Sequence, residues 1–287
     1  MIAGRRVRDA VPSVLVATFA VADFLLPEGY VAPGRAAVLR EARVVTELGR
    51  LAWSRCGPRI GGRGAPRAAR TEPRDLDPVV LIPGFLAGDA TLSALAKALR
   101  EQGHRTYRSR ILANVRCTAR ATALLESRLE AVAARRGRRV TLVGHSLGGL
   151  LARGLAVRRP DLVSGIVTLG SPMLAPGAHH VALTRSLEAL VRLSRVGVPG
   201  LMALECVAGD CARTSFDESR QALTPDVSFT AVYSRRDGIV DWRACIDPLA
   251  TAVEVRSSHL GMVVDPAVIR AVVDAVGGRS VVDGSSR

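Results

Sequence analysis

The sequence predicts an α/β fold with about six strands in a mostly parallel sheet and helices on both faces. From residue 78 onwards, short apolar strands alternate with segments of helical apolar periodicity, which is the order of repeated βαβ units. One strand also runs through a glycine-framed turn at 144–148, Gly-His-Ser-Leu-Gly, directly into a helix. With 287 residues, 48% of them hydrophobic, one main domain can bury a large core.

Each element of this fold follows from a local pattern of apolar residues and turn residues. Strands are short apolar runs bounded by Gly, Pro, Asp or Ser, and helices carry apolar residues at steps of three and four. The expected strands are 79–85, 106–112, 139–146, 163–172, 229–234 and 251–256, and the expected helices are 90–103, 117–137, 147–159 and 267–276.

The stretch 173–226 breaks this alternation. It separates two strands and contains an apolar helical segment at 184–205. A connection this long inside a compact domain is usually a functional lid or a binding element. We therefore expect a helical insert that contributes to a binding site.

The N-terminal part of the chain is expected to form a helical appendage, residues 1–56, joined to the main domain at 78–287 by a flexible linker at 57–77. Residues 35–55 have the periodicity of an amphipathic helix. The apolar run 11–22 follows a basic start and is typical either of a secretory signal peptide or of an uncleaved helix lying on the domain or on a membrane. These alternatives imply a secreted or membrane-associated protein, and without either the chain would be cytoplasmic.

Charge and cysteine content narrow the classes of partner. The net charge of +14 comes almost entirely from arginine, aromatic residues are only 3% of the chain, and no nucleic-acid-binding motif is present, so no nucleic-acid partner is expected. Weak attraction to an anionic membrane surface stays open. No Cys-x-x-Cys pair occurs among the five cysteines, so the spacing indicates no metal site or cofactor, although Cys206 and Cys211 are close enough to bridge across a loop.

Ser146 is the candidate nucleophile. It lies between a buried strand and a helix in a Gly-x-Ser-x-Gly turn, which exposes the serine hydroxyl in a strained backbone conformation. Glycine is required on both sides because larger side chains would collide with the neighbouring strand and helix. The amide of Leu147, in the first turn of the helix, then faces the developing oxyanion. The Pro83-Gly84 bend after the first strand makes the Phe85 amide the expected second donor.

A serine nucleophile needs a base and a carboxylate that orients it. Of the five histidines, His259 follows the last strand, where a loop can bring its imidazole over Ser146. The carboxylate is expected from the loop after the preceding strand, which offers Asp237 and Asp241, and Asp237 is preferred because a tight-turn glycine follows it. The resulting order is Ser, Asp, His.

The segments "VLIPGF", "VGHSLGG", "VTLGSP", "YSRRDGIVDW" and "SSHLGM" occur in order and at suitable spacing. Through them the chain from about 78 to 277 resembles α/β-hydrolases of the esterase and triacylglycerol-lipase type, and is similar to small bacterial lipases. The resemblance implies an α/β-hydrolase fold and no cofactor. It also implies site residues: a catalytic set of Ser146, Asp237 and His259, an oxyanion hole from the amides of Phe85 and Leu147, and substrate contacts from Gly84, His145 and Met173. Many relatives have His-Gly where this chain has Pro83-Gly84, a departure that keeps the backbone donor but can alter substrate preference.

These inferences predict a serine hydrolase that cleaves small-molecule or lipid carboxylic esters with apolar acyl chains through an acyl-enzyme. Acyl transfer, thioester hydrolysis and phospholipid hydrolysis use the same three residues and stay open as alternatives. A non-catalytic hydrolase-fold protein that binds a hydrophobic ligand is less favoured, because such proteins usually lack one of the three. A membrane-anchored scaffold rests only on the N-terminal apolar run.

Overall fold

The computed structural model of the protein describes residues 22–56 and 76–278. The apolar run at 11–22, apart from its last residue, and nearly all of the linker predicted at 57–77 lie outside these residues, and so do the signal-peptide and linker predictions. Within the described ranges, no helix is both long enough and apolar enough to cross a membrane.

The sheet contains six strands that are all parallel, which confirms the predicted fold class. Their order across the sheet is β2-β1-β3-β4-β5-β6. The strands are β1 Val79–Ile82, β2 Thr106–Arg108, β3 Val140–His145, β4 Val163–Leu169, β5 Ser228–Tyr233 and β6 Thr251–Glu254. Most are shorter than the apolar runs in the sequence, because several of those runs continue into the loops at the carboxyl edge of the sheet.

Seven α-helices occur in the described part of the chain. They are α1 Val44–Cys56, α2 Ser93–Glu101, α3 Thr118–Arg136, α4 Leu147–Arg158, α5 Val181–Arg195, α6 Asp210–Ser219 and α7 Pro266–Val276. Residues 22–56, which include α1, are called the N-terminal segment below. A 3₁₀ helix, Arg35–Arg43, leads into α1. The sequence pattern did not predict α6, because its residues, DCARTSFDES, are mostly small or polar.

The core has two layers, one on each face of the sheet. Val80 and Ile82 of β1 pack with α3 and α4 on one face, whereas Val79 and Leu81 pack with α2 and α7 on the other. This alternation is the two-residue periodicity of a strand buried on both sides. The near-continuous apolar composition of the strands therefore follows from the presence of helices on both faces.

The strand order places a topological switch point between β1 and β3. The chain passes from β1 to the edge strand β2 and then returns to the other side of β1 to form β3. The loops that follow β1 and β3 therefore diverge and leave a crevice at the carboxyl edge of the sheet, which is where ligands bind in open α/β sheets.

Leu125 and Leu124 are neighbours on α3 and offer a test of this core assignment. Leu125 is 3% exposed in the α3–α4 layer, whereas Leu124 is 60% exposed. We expect Leu125→Ala to lower the free energy of unfolding by about 2–5 kcal/mol, since it removes buried contacts and leaves a cavity. Leu124→Ala should change it by no more than about 0.5 kcal/mol. Urea denaturation followed by circular dichroism measures both, and equal effects would contradict the assignment.

Candidate active site

Ser146 occupies a strained turn between β3 and α4. Its backbone angles are φ 52° and ψ −121°, a positive φ that non-glycine residues rarely adopt. A Cβ added to Gly148 would lie 2.2 Å from the carbonyl oxygen of Ile82, and one added to Gly144 would lie 2.4 Å from the backbone of Gly148. The strand, the turn and the helix therefore approach each other so closely that both flanking positions need glycine.

His259 and Asp237 lie in direct contact. The distance from His259 Nδ1 to Asp237 Oδ2 is 2.7 Å, and both residues are almost fully buried. The other carboxylate oxygen of Asp237 accepts hydrogen bonds from the amides of Ile239 and Val240, at 2.8 and 2.9 Å. Because the Nδ1–H of His259 donates to the carboxylate, its Nε2 is left as the basic atom of the neutral ring.

Asp241 has a different set of partners. Its carboxylate accepts a hydrogen bond from the backbone amide of Arg243 at 3.1 Å and forms an ion pair with the guanidinium of the same residue. It also accepts the amide of Val31 at 3.0 Å. Asp241 therefore caps the short 3₁₀ helix Trp242–Cys245 and anchors the N-terminal segment, and it is Asp237 that contacts His259.

Ser146 is linked to the His259–Asp237 pair through the end of β4. The amide of Ser146 donates to the carbonyl of Leu169 at 2.8 Å. The next residue, Gly170, has φ +56°, and a Cβ there would lie 3.1 Å from His259 Nδ1 and 3.3 Å from Asp237 Oδ2. The carboxyl ends of β3 and β4 thus bring the three candidate residues to the same edge of the sheet.

His145 and His259 are neighbours at this edge, and their pKa values are shifted in opposite directions. Burial disfavours the imidazolium of His259, but the negative charge of Asp237 and their hydrogen bond outweigh it, aided by Glu41, so the pKa of His259 is raised above its ordinary value. Burial, together with the nearby His259, lowers the pKa of His145 to about 3. His145 is therefore neutral, and its Nε2–H donates to the carbonyl of His259 at 3.0 Å.

Glu41, from the N-terminal segment, holds the two loops that carry Asp237 and His259. Its carboxylate accepts the amides of Gly238 at 2.9 Å, His259 at 3.1 Å and Leu260 at 2.8 Å. Glu41 is only 6% exposed. A single buried carboxylate therefore fixes the backbone on both sides of the His259–Asp237 contact.

Glu47, one helix further along the same segment, holds the residues that precede His259. Its carboxylate accepts the Ser258 amide at 2.8 Å, the Ser258 hydroxyl at 2.6 Å and the Ser257 hydroxyl at 3.2 Å, and Glu47 is 1% exposed. The sequence analysis missed both glutamates because it followed the apolar positions of the helix. Their signal was two acidic residues six positions apart on a segment otherwise rich in arginine and apolar residues.

The loop after β1 is fixed by Asn114, another residue that the sequence analysis missed. The Asn114 side-chain amide donates to the carbonyl of Pro83 at 2.8 Å, and its backbone carbonyl accepts the amide of Leu86 at 3.1 Å. Asn114 is buried, so this clamp is shielded from water. It holds the stretch that contains Phe85 opposite the first turn of α4, where the amide of Leu147 has no acceptor within the helix.

An apolar cavity of about 160 Å³ opens onto Ser146, Phe85 and Leu147. Its wall comes from the loops after β1 and β3, from the insert, and from the N-terminal segment. The apolar side chains that line it are Leu25, Phe85, Leu147, Leu150, Pro172, Pro176, Leu183, Leu187, Met202, Val207, Ala212, Phe216 and Val240. Residues of α5 and α6 and of the connection between them, all within the insert predicted at 173–226, contribute to this wall.

The three residues predicted to contact the substrate, Gly84, His145 and Met173, lie around the candidate site but are not among the described residues that line this cavity. Met173 is 2% exposed and His145 is turned towards the His259 carbonyl. Gly84 lies beside the serine, where an added Cβ would be 3.1 Å from Ser146 Cβ.

Comparisons with known proteins agree with this architecture. The family model described as the PGAP1-like alpha/beta domain matches residues 116–195, from the start of α3 to the end of α5. The mature form of the Bacillus licheniformis lipase BlEst2 is 16% identical, with a TM-score of 0.56 over 71% of this chain and 93% of that chain. A monoacylglycerol lipase from Paleococcus ferrophilus is 17% identical, with a TM-score of 0.50 over 70% and 96%.

A third similar structure is that of metagenome-derived lipolytic enzymes described as LipS and LipT. It is 15% identical, with a TM-score of 0.51 over 71% of this chain and 96% of that chain. The sheet order, the strand-to-helix turn at Ser146 and these likenesses together show that the chain has the fold of the α/β-hydrolase superfamily.

Proposed function

We propose that this protein is a serine hydrolase that cleaves carboxylic esters with apolar acyl chains. The observation that carries the proposal is the cavity: an apolar wall surrounds Ser146, a strained serine at the carboxyl edge of the sheet, beside a buried His259–Asp237 pair. A core does not require such an arrangement, since a positive φ at a non-glycine residue and a buried carboxylate both cost free energy.

The proposed reaction begins with proton transfer from the Ser146 hydroxyl to His259 Nε2 as Oγ attacks the ester carbonyl. Asp237 stabilises the imidazolium that forms and holds the ring in the required tautomer. The amides of Phe85 and Leu147 donate to the oxyanion of the tetrahedral intermediate. His259 then gives the proton to the departing alcohol, which leaves an acyl group on Ser146.

Water completes the cycle. His259 removes a proton from a water molecule, the resulting hydroxide attacks the acyl carbonyl, and collapse of the intermediate returns the proton to Ser146 and releases the acid. Leu187 and Phe216 of the insert, together with Leu25, form an apolar surface suited to the acyl chain. The insert thus has the role of binding the substrate, and residues on the loops that follow the strands carry out the reaction.

Replacement of the nucleophile is the first test. We expect Ser146→Ala to abolish labelling by a fluorophosphonate probe and to lower kcat for p-nitrophenyl esters by at least about three orders of magnitude, since the nucleophile is lost. Ser215→Ala is the matched control, because Ser215 also lines the cavity. It should keep the labelling of Ser146 and most of the activity. Equal turnover by wild type and Ser146→Ala across ester chain lengths would contradict the proposal.

The two aspartates of one loop separate the carboxylate roles. Asp237→Asn should lower kcat by about four orders of magnitude, since an amide cannot hold His259 in the required tautomer. Asp241→Asn breaks the Arg243 ion pair and should leave kcat of the folded protein within about tenfold of wild type. Steady-state kinetics on one p-nitrophenyl ester compare the two, and the reverse order of effects would refute the assignment.

The pH profile tests Glu41 as a positioning residue. His259 acts as a base only when neutral, so kcat/KM falls as the pH drops through its raised pKa. Glu41→Gln removes a negative charge that helps to raise this pKa, and we expect the acidic limb of the profile to move to lower pH. Glu28→Gln makes the same change at an exposed site and should not move it. A loss of kcat/KM that is uniform at every pH, with the acidic limb unmoved, would contradict a role for the Glu41 charge in raising the pKa of His259.

A further inference from the structure

Three cysteines from distant parts of the chain meet beside the cavity. Cys117 precedes α3, Cys206 ends a short 3₁₀ helix of the insert, and Cys211 is the second residue of α6. Their Sγ atoms all lie within 4.8 Å of one another, and those of Cys117 and Cys211 are 3.5 Å apart. All three residues are partly buried.

We propose that Cys117, Cys206 and Cys211 bind one zinc ion, with a water molecule as the fourth ligand. Thiolates are soft ligands and select thiophilic cations such as Zn²⁺ over Ca²⁺ or Mg²⁺. Three protein ligands and one open position is an established zinc arrangement. The three cysteines, at residues 117, 206 and 211, are not spaced as a Cys-x-x-Cys pair, so a search for that motif could not find this site.

The spacing of the sulfur atoms fits a shared ion. Two sulfurs bound to a tetrahedral zinc, each at about 2.3 Å, lie about 3.8 Å apart. The sulfurs of Cys117 and Cys211 are 3.5 Å apart and all three lie within 4.8 Å of one another, so small side-chain movements would bring them to this spacing. A disulfide would bring one pair to about 2.05 Å and leave the third thiol unused.

The surroundings also stabilise the net negative charge of a zinc trithiolate. Binding converts three thiols to thiolates, so Zn²⁺ and three Cys–SH give one zinc trithiolate and three protons. The backbone amides of Ala119 and Arg120, in the first turn of α3, lie next to the Cys117 sulfur, and the Ala119 amide also lies next to Cys211. These amides and the positive end of the helix dipole stabilise the negative charge that the trithiolate carries.

The ion would tie the insert to the core. Two ligands belong to the insert and the third, Cys117, directly precedes α3. Cys206 also lines the cavity that contains Ser146. At the same corner, the amide of Met202 in the insert donates to the carbonyl of Val115 at 2.8 Å. Zinc would therefore fix the wall of the cavity that α6 and the preceding 3₁₀ helix provide.

Metal binding to the full-length protein tests the proposal. The protein is reduced, stripped with a chelator and titrated with Zn²⁺ alone and with Co²⁺ alone. We expect one zinc ion per chain to remain after desalting, as measured by elemental mass spectrometry. Zinc binding should also release three protons per ion near neutral pH. The Co²⁺ form should show a thiolate-to-cobalt charge-transfer band in the near ultraviolet, which Zn²⁺ abolishes.

Single substitutions identify the ligands. Cys117→Ser, Cys206→Ser and Cys211→Ser should each weaken zinc binding at least about tenfold, and three variants guard against one that does not fold. Cys245→Ser is the control, because Cys245 is buried in a different cluster. Absence of retained zinc and of the cobalt band would overturn the proposal. So would a disulfide between two of the three cysteines in protein purified without reductant, if the chain then binds no zinc after reduction.

These readouts do not depend on ester hydrolysis. Zinc stoichiometry and the cobalt band can be positive in Ser146→Ala protein, so a failure of the proposed function and a failure of the zinc site are distinguishable. Where both hold, zinc-loaded and zinc-free protein should differ in their preference among p-nitrophenyl esters of different chain length, because the ion fixes one wall of the cavity.

Discussion

The contact between β1, β3 and the start of α4 is the constraint on which the candidate site depends. The carbonyl of Ile82 lies where a side chain on Gly148 would begin, and the backbone of Gly148 lies where a side chain on Gly144 would begin. This approach forces the chain to turn at Ser146 with positive φ. The strain at one residue is maintained by packing of a strand and a helix that are both buried, so the serine is held in the cavity without any flexible support.

The second constraint is electrostatic and comes from outside the sheet. Burying the carboxylates of Glu41 and Glu47 would cost several kcal/mol each if they were unpaired. Each instead accepts three hydrogen bonds from the loops around Asp237 and His259, and bonds of this charge-assisted kind are among the stronger ones in proteins. The N-terminal segment is thus bound to the main domain through the same backbone that positions the candidate base.

The sequence predicted features that depend on neighbouring residues well, and contacts between residues far apart in the chain poorly. The six strands and the strained turn at Ser146 are encoded by neighbouring residues, namely apolar runs and flanking glycines, so periodicity and spacing were sufficient. Glu41, Asn114 and Cys117 contact residues that lie between 31 and 218 positions away. No local sequence pattern indicates which distant amide will donate a hydrogen bond to a given carboxylate. The helix α6 was missed for a related reason, since packing against α4 and not its own apolar stripe stabilises it.

The division between chemistry and selectivity follows from where the cavity wall originates. The candidate nucleophile, base and acid lie on loops that directly follow strands of the sheet, and the rigid strands fix their positions. The apolar wall around them comes largely from the insert and from Leu25 of the N-terminal segment, neither of which belongs to the sheet. Changes in these two segments can therefore alter the volume and shape offered to an acyl chain without moving the strained serine. For the proposed ester hydrolase, the insert and the N-terminal segment would therefore determine which ester binds, and the residues at the edge of the sheet would determine which bond is cleaved.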